Sequence, residues 1–206
     1  MKITGISQYK GKTLQIDFDG GEPIFIHADI AFEYHLKEGQ SVPQSAVEQI
    51  IKANDTRRAK ERALYLLDVR DYGYVELFKK LEVSYSEDIC FEVCNYLAGV
   101  GLINDVRYAE KLAEHLCVTK KYGYYRAREQ MKLKGLTDEV IGNALEPYRE
   151  DTCDRIKEVI EKKYHRYLGD EKGIDKTKAA LVRLGYSYGE VNRAVKEYIE
   201  ELESEE

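Results

Sequence analysis

Tryptophan is absent from this chain, and proline nearly so, with three residues in 206. So little proline excludes a polyproline-type or low-complexity linker protein and suits helix-rich packing. No apolar run approaches the ~18 residues of a membrane-spanning helix, so no membrane role is expected. The opening "MKITGISQYKGK" lacks the apolar core and small-residue cleavage site of a signal peptide. The cysteines, Cys90, Cys94, Cys117 and Cys153, follow no zinc-ligand spacing. Cys90 and Cys94 sit four apart in an apolar helical stretch and read as reduced core thiols, which makes the cytoplasm the default compartment. There is no G-x-x-x-x-G-K-[ST] loop, and "DGG" and "AGVG" lack the strand–turn–helix frame of a dinucleotide site. Histidines are scattered at 27, 35, 115 and 165. No cofactor, no metal and no catalytic residue is expected, and the chain reads as a non-enzyme.

What is present is charge, at 34% of residues, with a net of −6. Its distribution is uneven. Residues 1–55 carry −3, the tail Glu197–Glu206 carries −6 and residues 56–196 carry +3. Lys120 to Lys134 holds six basic residues against Glu129 alone. Local patches govern the field that a polyanion feels more than the total does.

Two periodicities divide the chain. Leu14, Ile16 and Phe18 alternate, as do Ile24, Ile26 and Ala28, around the turn "DGGEP". Period two predicts a β-hairpin with one buried face, with Ile3 and Ile6 supplying an adjoining strand. A helix is expected near "SVPQSAVEQIIKAN", with Ser41 as cap, Gln44 at the capping-box position and Pro43 in the first turn. Asn54, Asp55 or Thr56 can cap a new helix, which places a boundary at "NDTRR". Beyond it the pattern is helical throughout. The expected stripes are Ala59, Ala63, Leu64 and Leu67, then Tyr108, Ala109, Leu112 and Leu116, then Ile156, Val159, Ile160 and Tyr164.

The run "GYSYG", Gly185–Gly189, matches the nucleophile elbow G-x-S-x-G, but helical sequence precedes Ser187 where an elbow needs a strand. Aligning it with "KGLTD" reveals a repeat. At an offset of 50, Met131 meets Leu181, Gly135 meets Gly185, Thr137 meets Ser187, Ile141 meets Val191 and Tyr148 meets Tyr198. An earlier copy runs through Leu77, Leu81, Ser86, Cys90, Cys94 and Leu97 with one residue missing at the turn. Each copy reads as three helices; Gly135 and Gly185 allow the left-handed conformation that ends the second helix in the later two copies, and Ser86, Thr137 or Ser187 caps the third. Ser187 with Glu190 forms a full capping box. The expected architecture is mainly α: three tandem three-helix repeats in an elongated curved array, with a small N-terminal extension containing a β-hairpin. The expected divisions are 1–55 for the extension, 56–103, 104–148 and 149–206 for the repeats, the last with the acidic tail.

Three stretches carry a resemblance. "ALYLLDVRDYGYVELFKKL" supplies Ala63, Leu64, Leu67, Arg70, Glu76, Leu77 and Leu81; "LINDVRYA" supplies Asn104, Asp105, Tyr108 and Ala109; "YGYYRAREQMKLKGL" supplies Gly123, Ala127, Met131, Lys134 and Gly135. Together they resemble the RecX regulatory proteins of bacteria. One departure is Gly73, where that family has Ser or Thr, which weakens a helix cap by a few tenths of a kcal/mol. The resemblance implies a regulator that binds RecA and its filament on single-stranded DNA, and that lowers its ATPase, strand-exchange and coprotease activities. A monomer with weak direct DNA binding is expected.

Stacked repeats make long surfaces suited to elongated partners. The candidate partner residues are Lys120, Lys121, Arg126, Arg128, Lys132 and Lys134, with Arg70, Lys79, Lys80, Lys176, Lys178 and Arg183 as a secondary set. Arg128 and Lys132 share a helix face. The zone meets an acidic RecA surface or DNA phosphates, or is an ordinary solvated face. Tyr122, Tyr124 and Tyr125 either pack between helices or stack on single-stranded bases. Asp105 reads as a cap, and Arg70 as an ion pair or a partner contact. The alternatives are a stand-alone nucleic-acid-binding helical repeat, disfavoured by the net charge, and a generic helical scaffold.

Overall fold

The computed structural model describes residues 1–150 and 152–205. Glu206, the last residue of the acidic tail, lies outside them. The chain forms two compact units, Met1–Asp71 with Leu77–Leu102, and Tyr72–Glu76 with the residues from Ile103 onward.

In the first unit, β1 (Ile3–Lys10), β2 (Thr13–Phe18) and β3 (Ile24–His27) form an antiparallel sheet in sequence order. The alternation behaves as expected. Ile16 and Ile26 point to one face and are buried with Ile3, Ile30, Val47 and Ile50. Ala28 is not a strand residue; it opens α1 (Ala28–Glu33), a short helix capped by His27.

α2 (Gln44–Val69) is a single helix of 26 residues. Ser41 does not cap it but bridges to Lys2, and Pro43 holds the N-cap position without a side-chain bond. Nor is there a break at Asn54–Arg58, where a new helix was expected. Asn54 is buried in mid-helix; its Oδ1 accepts the His27 N–H at 2.9 Å and its Nδ2 reaches the Phe25 carbonyl at 3.5 Å. The cap-forming amide is used instead to latch β3 to the helix. With neither glycine nor proline between Gln44 and Val69, nothing stops propagation. α2 therefore serves both the sheet and the first three-helix repeat, with α3 (Tyr74–Glu82) and α4 (Glu87–Gly99). Its buried stripe there is Ala59, Ala63 and Leu66; Leu64 is 40% exposed, contrary to expectation. Cys90 and Cys94 are buried free thiols in α4, and burial pushes Cys94 up to about 11. Ser86 stands at the N-cap of α4 but makes no side-chain cap bond.

The second unit holds two further repeats. α5 (Asp105–Glu114) runs into a π-helical turn, His115–Thr119, followed by α6 (Tyr124–Leu133) and α7 (Asp138–Leu145). α8 (Thr152–Lys163), α9 (Glu171–Arg183) and α10 (Tyr188–Glu205) form the third. Each has its own core: Ala109, Leu116, Ala127, Met131 and Ile141 in one, Ile156, Ile160, Leu181, Val191 and Val195 in the other. The expected acidic tail is the end of α10. Glu197 and Glu201 both pair with Lys157 of α8, at 3.3 and 2.5 Å. Among the described residues no helix is long and apolar enough to cross a membrane.

Candidate functional site

The second and third repeats meet through their middle helices. Gly185 ends α9 in the left-handed conformation, φ +93°. The carbonyls at that end have no partner within the helix, and the first N–H groups of α6 have none either. They satisfy each other: Gly123 N–H donates to the Leu184 carbonyl at 2.9 Å and Tyr125 N–H to that of Gly185 at 3.1 Å. The negative end of one helix dipole thus faces the positive end of the other. The fit is backbone to backbone, because a Cβ on Gly123 would lie 2.4 Å from the Gly185 carbonyl and the Tyr186 nitrogen. Around it, the Tyr186 hydroxyl donates to the Lys121 carbonyl at 2.9 Å, and burial pushes that phenol up to about 12.

A counterpart contact, made through side chains, lies fifty residues earlier. Gly135, φ +83°, packs its backbone on Val75, and Lys134 Nζ reaches Glu76 Oε1 at 2.6 Å. There Asp105 is not the cap of its own helix; Asn104 is, accepting from Arg107 N–H at 2.9 Å. Asp105 instead accepts the Tyr74 N–H at 2.7 Å, serving the start of α3. This accounts for Gly73. A side chain there would press within 2.9 Å of the Tyr108 ring, and the acceptor it would have supplied comes from Asp105.

The joints consume much of the basic zone. Lys121 bonds Glu158 at 2.5 Å, and Lys134 is held by Glu76. Arg126 lies 4.2 Å over the Tyr122 ring and donates to the Arg183 carbonyl at 3.2 Å. Arg128 and Lys132 do share a face, but both reach Asp138 Oδ1, at 2.8 and 3.0 Å. Hydrogen bonding from Lys132, with the charge of Arg128, holds the Asp138 carboxyl below the usual carboxylate range. Hydrogen bonds from Lys121 and then Lys162 hold Glu158 at about 2. Lys120 is exposed, with no ion pair among the described residues.

The secondary set is divided between the two units. Arg70 ends α2 and donates to the Asp71 carbonyl at 3.0 Å; Lys79 and Lys80 lie exposed in the last turn of α3. In the second unit Lys176 and Arg183 are exposed and Lys178 is half-buried. Tyr122 and Tyr124 pack, the latter beneath Arg149 at 4.7 Å, while Tyr125 is 62% exposed. Ser187 is the cap it promised to be: its Oγ accepts the Glu190 N–H at 3.2 Å, and its own N–H donates to the Glu190 carboxylate at 2.7 Å. Thr137 does likewise for α7, at 3.4 Å from Val140 N.

The joint itself was missed from sequence. A signal for it existed: Gly73, Gly123 and Gly173 recur at the repeat period, and a Cβ at each would strike a neighbour within 3.0 Å. Nothing local announced Glu76, Asp138 or Glu158 as the counter-charges.

Two family descriptions match this part of the chain: "RecX, second three-helix domain" over residues 104–145 and "RecX, third three-helix domain" over 150–195. The chain belongs to the RecX family. Similar proteins include the regulatory protein RecX of Clostridioides difficile, 24% identical over 94% of this chain and 93% of its own length. Another is that of Staphylococcus carnosus, 27% identical over all of this chain and 79% of its own. A crystal structure of a regulatory protein RecX superposes with a TM-score of 0.71, covering 95% of this chain and 98% of that one at 23% identity. RecX from Lactobacillus salivarius gives 0.65 at 27% identity, over 71% and 97%. The helical repeats and the small sheet are thus a RecX fold, and the chain has the regulatory role that its relatives' name states.

Proposed function

We propose that this chain is a non-catalytic regulator that binds RecA and its filament on single-stranded DNA, as a cytoplasmic monomer, and restrains ATPase, strand exchange and coprotease activity. Family membership supports the regulatory part. The observation that carries the contact surface is the Arg128–Lys132–Asp138 group: two cations share one carboxylate, with side chains 40%, 43% and 63% exposed. One positive charge is left over on the α6 face, with Lys120, Arg183 and Lys176 exposed on the same unit. Exposed, partly compensated cations cost little to desolvate when an acidic surface replaces the internal carboxylate.

The test is titration into a DNA-dependent ATPase assay with the species-matched RecA. Inhibition is expected, weakened in the Arg128→Gln/Lys132→Gln variant. Neutralisation is preferable to charge reversal, which would set new carboxylates against Asp138 and unfold the local turn. No inhibition at micromolar concentration refutes the reading, and inhibition untouched in the variant refutes the assigned surface. A stand-alone nucleic-acid module would instead shift naked DNA without touching RecA turnover.

A further inference from the structure

The α6 zone has used most of its charge internally; the open face of the N-terminal sheet has not. Phe25 lies between Ile24 and Ile26, whose side chains enter the core beneath the sheet, so its ring stands on the opposite face. Gln15 pairs with it in β2, and Ser7 pairs with Gln15 in β1. Small polar neighbours leave the ring standing proud. Tyr9 sits in the irregular stretch between Gln8 and Lys10 and brings its ring to 4.7 Å from Phe25. The two residues remain 55% and 45% exposed.

Cations flank the pair. Lys10 and Lys12 bracket the Gly11 turn at this end of the sheet; Lys10 Nζ lies 5.9 Å over the Tyr9 ring, and neither lysine has an ion pair among the described residues. A groove of about 280 Å³ runs from Thr13 and Phe25 along the β3 edge to Arg57 and Arg58. Arg57 is neutralised by Glu61 and Asp29. Arg58 is 63% exposed and touches Asp55 only at 3.8 Å. Of the sheet's carboxylates, Asp19 and Glu22 lie toward the β2–β3 turn, while Asp17 shares the open face and accepts from Gln15 Nε2 at 2.8 Å.

We propose that this face binds single-stranded nucleic acid, with bases stacked on Phe25 and Tyr9 and the phosphates led past Lys10, Lys12 and Arg58. Exposed rings beside unpaired cations are what an unpaired strand needs and a duplex cannot use, since stacked pairs offer no free base face. Its residues are other than those proposed to meet RecA, and binding requires no filament.

The chain has no tryptophan, so Phe25→Trp installs a single reporter. A fluorescein-labelled oligothymidylate of roughly 15 nucleotides, near the site size of sheet-based binders, is titrated at low salt. The wild type binds it, and a duplex of equal length competes poorly. Tyr9→Leu/Phe25→Leu weakens binding at least tenfold with unchanged thermal unfolding. Lys10→Gln/Lys12→Gln flattens the log–log salt slope by about 1.4, while Arg128→Gln/Lys132→Gln binds as the wild type. The Phe25→Trp emission is quenched at saturation. Absence of binding by the wild type, full affinity in the folded Leu/Leu variant, or bound oligonucleotide without quenching each overturns the proposal. Binding of this kind together with an unaffected RecA ATPase refutes only the RecA reading.

Discussion

Alanine in place of Gly123 should unseat the third repeat from the second. Gly123 has φ −74°, a conformation any residue adopts, so the change carries no backbone strain of its own. The difficulty is space. The added carbon would sit 2.4 Å from the carbonyl carbon and oxygen of Gly185 and the nitrogen of Tyr186, all main-chain atoms that no rotamer change can move. The α9 turn must back away, lengthening the 2.9 Å Gly123–Leu184 and 3.1 Å Tyr125–Gly185 bonds and the Tyr186–Lys121 bond. Two weakened backbone bonds cost about 0.5–1.5 kcal/mol each, and overpacking adds about 1–3 kcal/mol. The sum is about 2–6 kcal/mol, or roughly 4–24 °C in melting temperature for a chain of this size. The same substitution at Gly142 provides the comparison. That residue lies inside α7 and a Cβ there meets nothing within 4 Å, so Gly142→Ala should stabilise by about 0.5–1 kcal/mol. Both are read by thermal and urea unfolding followed by circular dichroism. A Gly123→Ala protein within about 0.5 kcal/mol of wild type would refute the close-contact joint.

Three other outcomes are expected. Thr177 is 1% exposed and its hydroxyl has no hydrogen-bond partner among the described residues, so Thr177→Val should raise stability by about 1 kcal/mol, measured by urea midpoint; a loss would mean that the hydroxyl is bonded. Ser187→Ala should cost about 1 kcal/mol as a lost cap and leave RecA inhibition intact in the folded protein; lost inhibition at unchanged stability would contradict the capping role. Glu158 is held at about 2 against an ordinary 4.5 by its bonds to Lys121 and Lys162. A lowered carboxyl stabilises the fold above its unfolded value, so this contribution is complete above pH about 4.5 and disappears as pH falls toward about 2. Glu158→Gln should therefore flatten the acid limb of a melting-temperature profile within that window and nowhere else.

The extent to which sequence predicted structure tracks the range of the interaction concerned. Caps were legible because donor and acceptor are three residues apart: Ser187 with Glu190 and Thr137 with Val140 could be read off directly. Asn54 shows how the same signal misleads. Its amide is as good a latch for a strand 27 residues earlier as it is a helix cap, and only burial beside β3 chooses between them. Asp105 carries the same lesson, since its carboxylate caps a helix that starts 31 residues before it.

By itself the sequence determined the three-helix period, the alternating strands and the left-handed glycines at 135 and 185, because each depends on local dihedral preference and on which faces are apolar. It also determined the family. Tertiary structure decided where the charge of the α6 zone goes, through Glu76, Asp138 and Glu158, residues that composition counts as surface acids. It decided too that the unpaired lysines stand beside exposed rings on the N-terminal sheet. Electrostatic free charge is a property of neighbours in space, and a linear count of lysines against glutamates does not contain it.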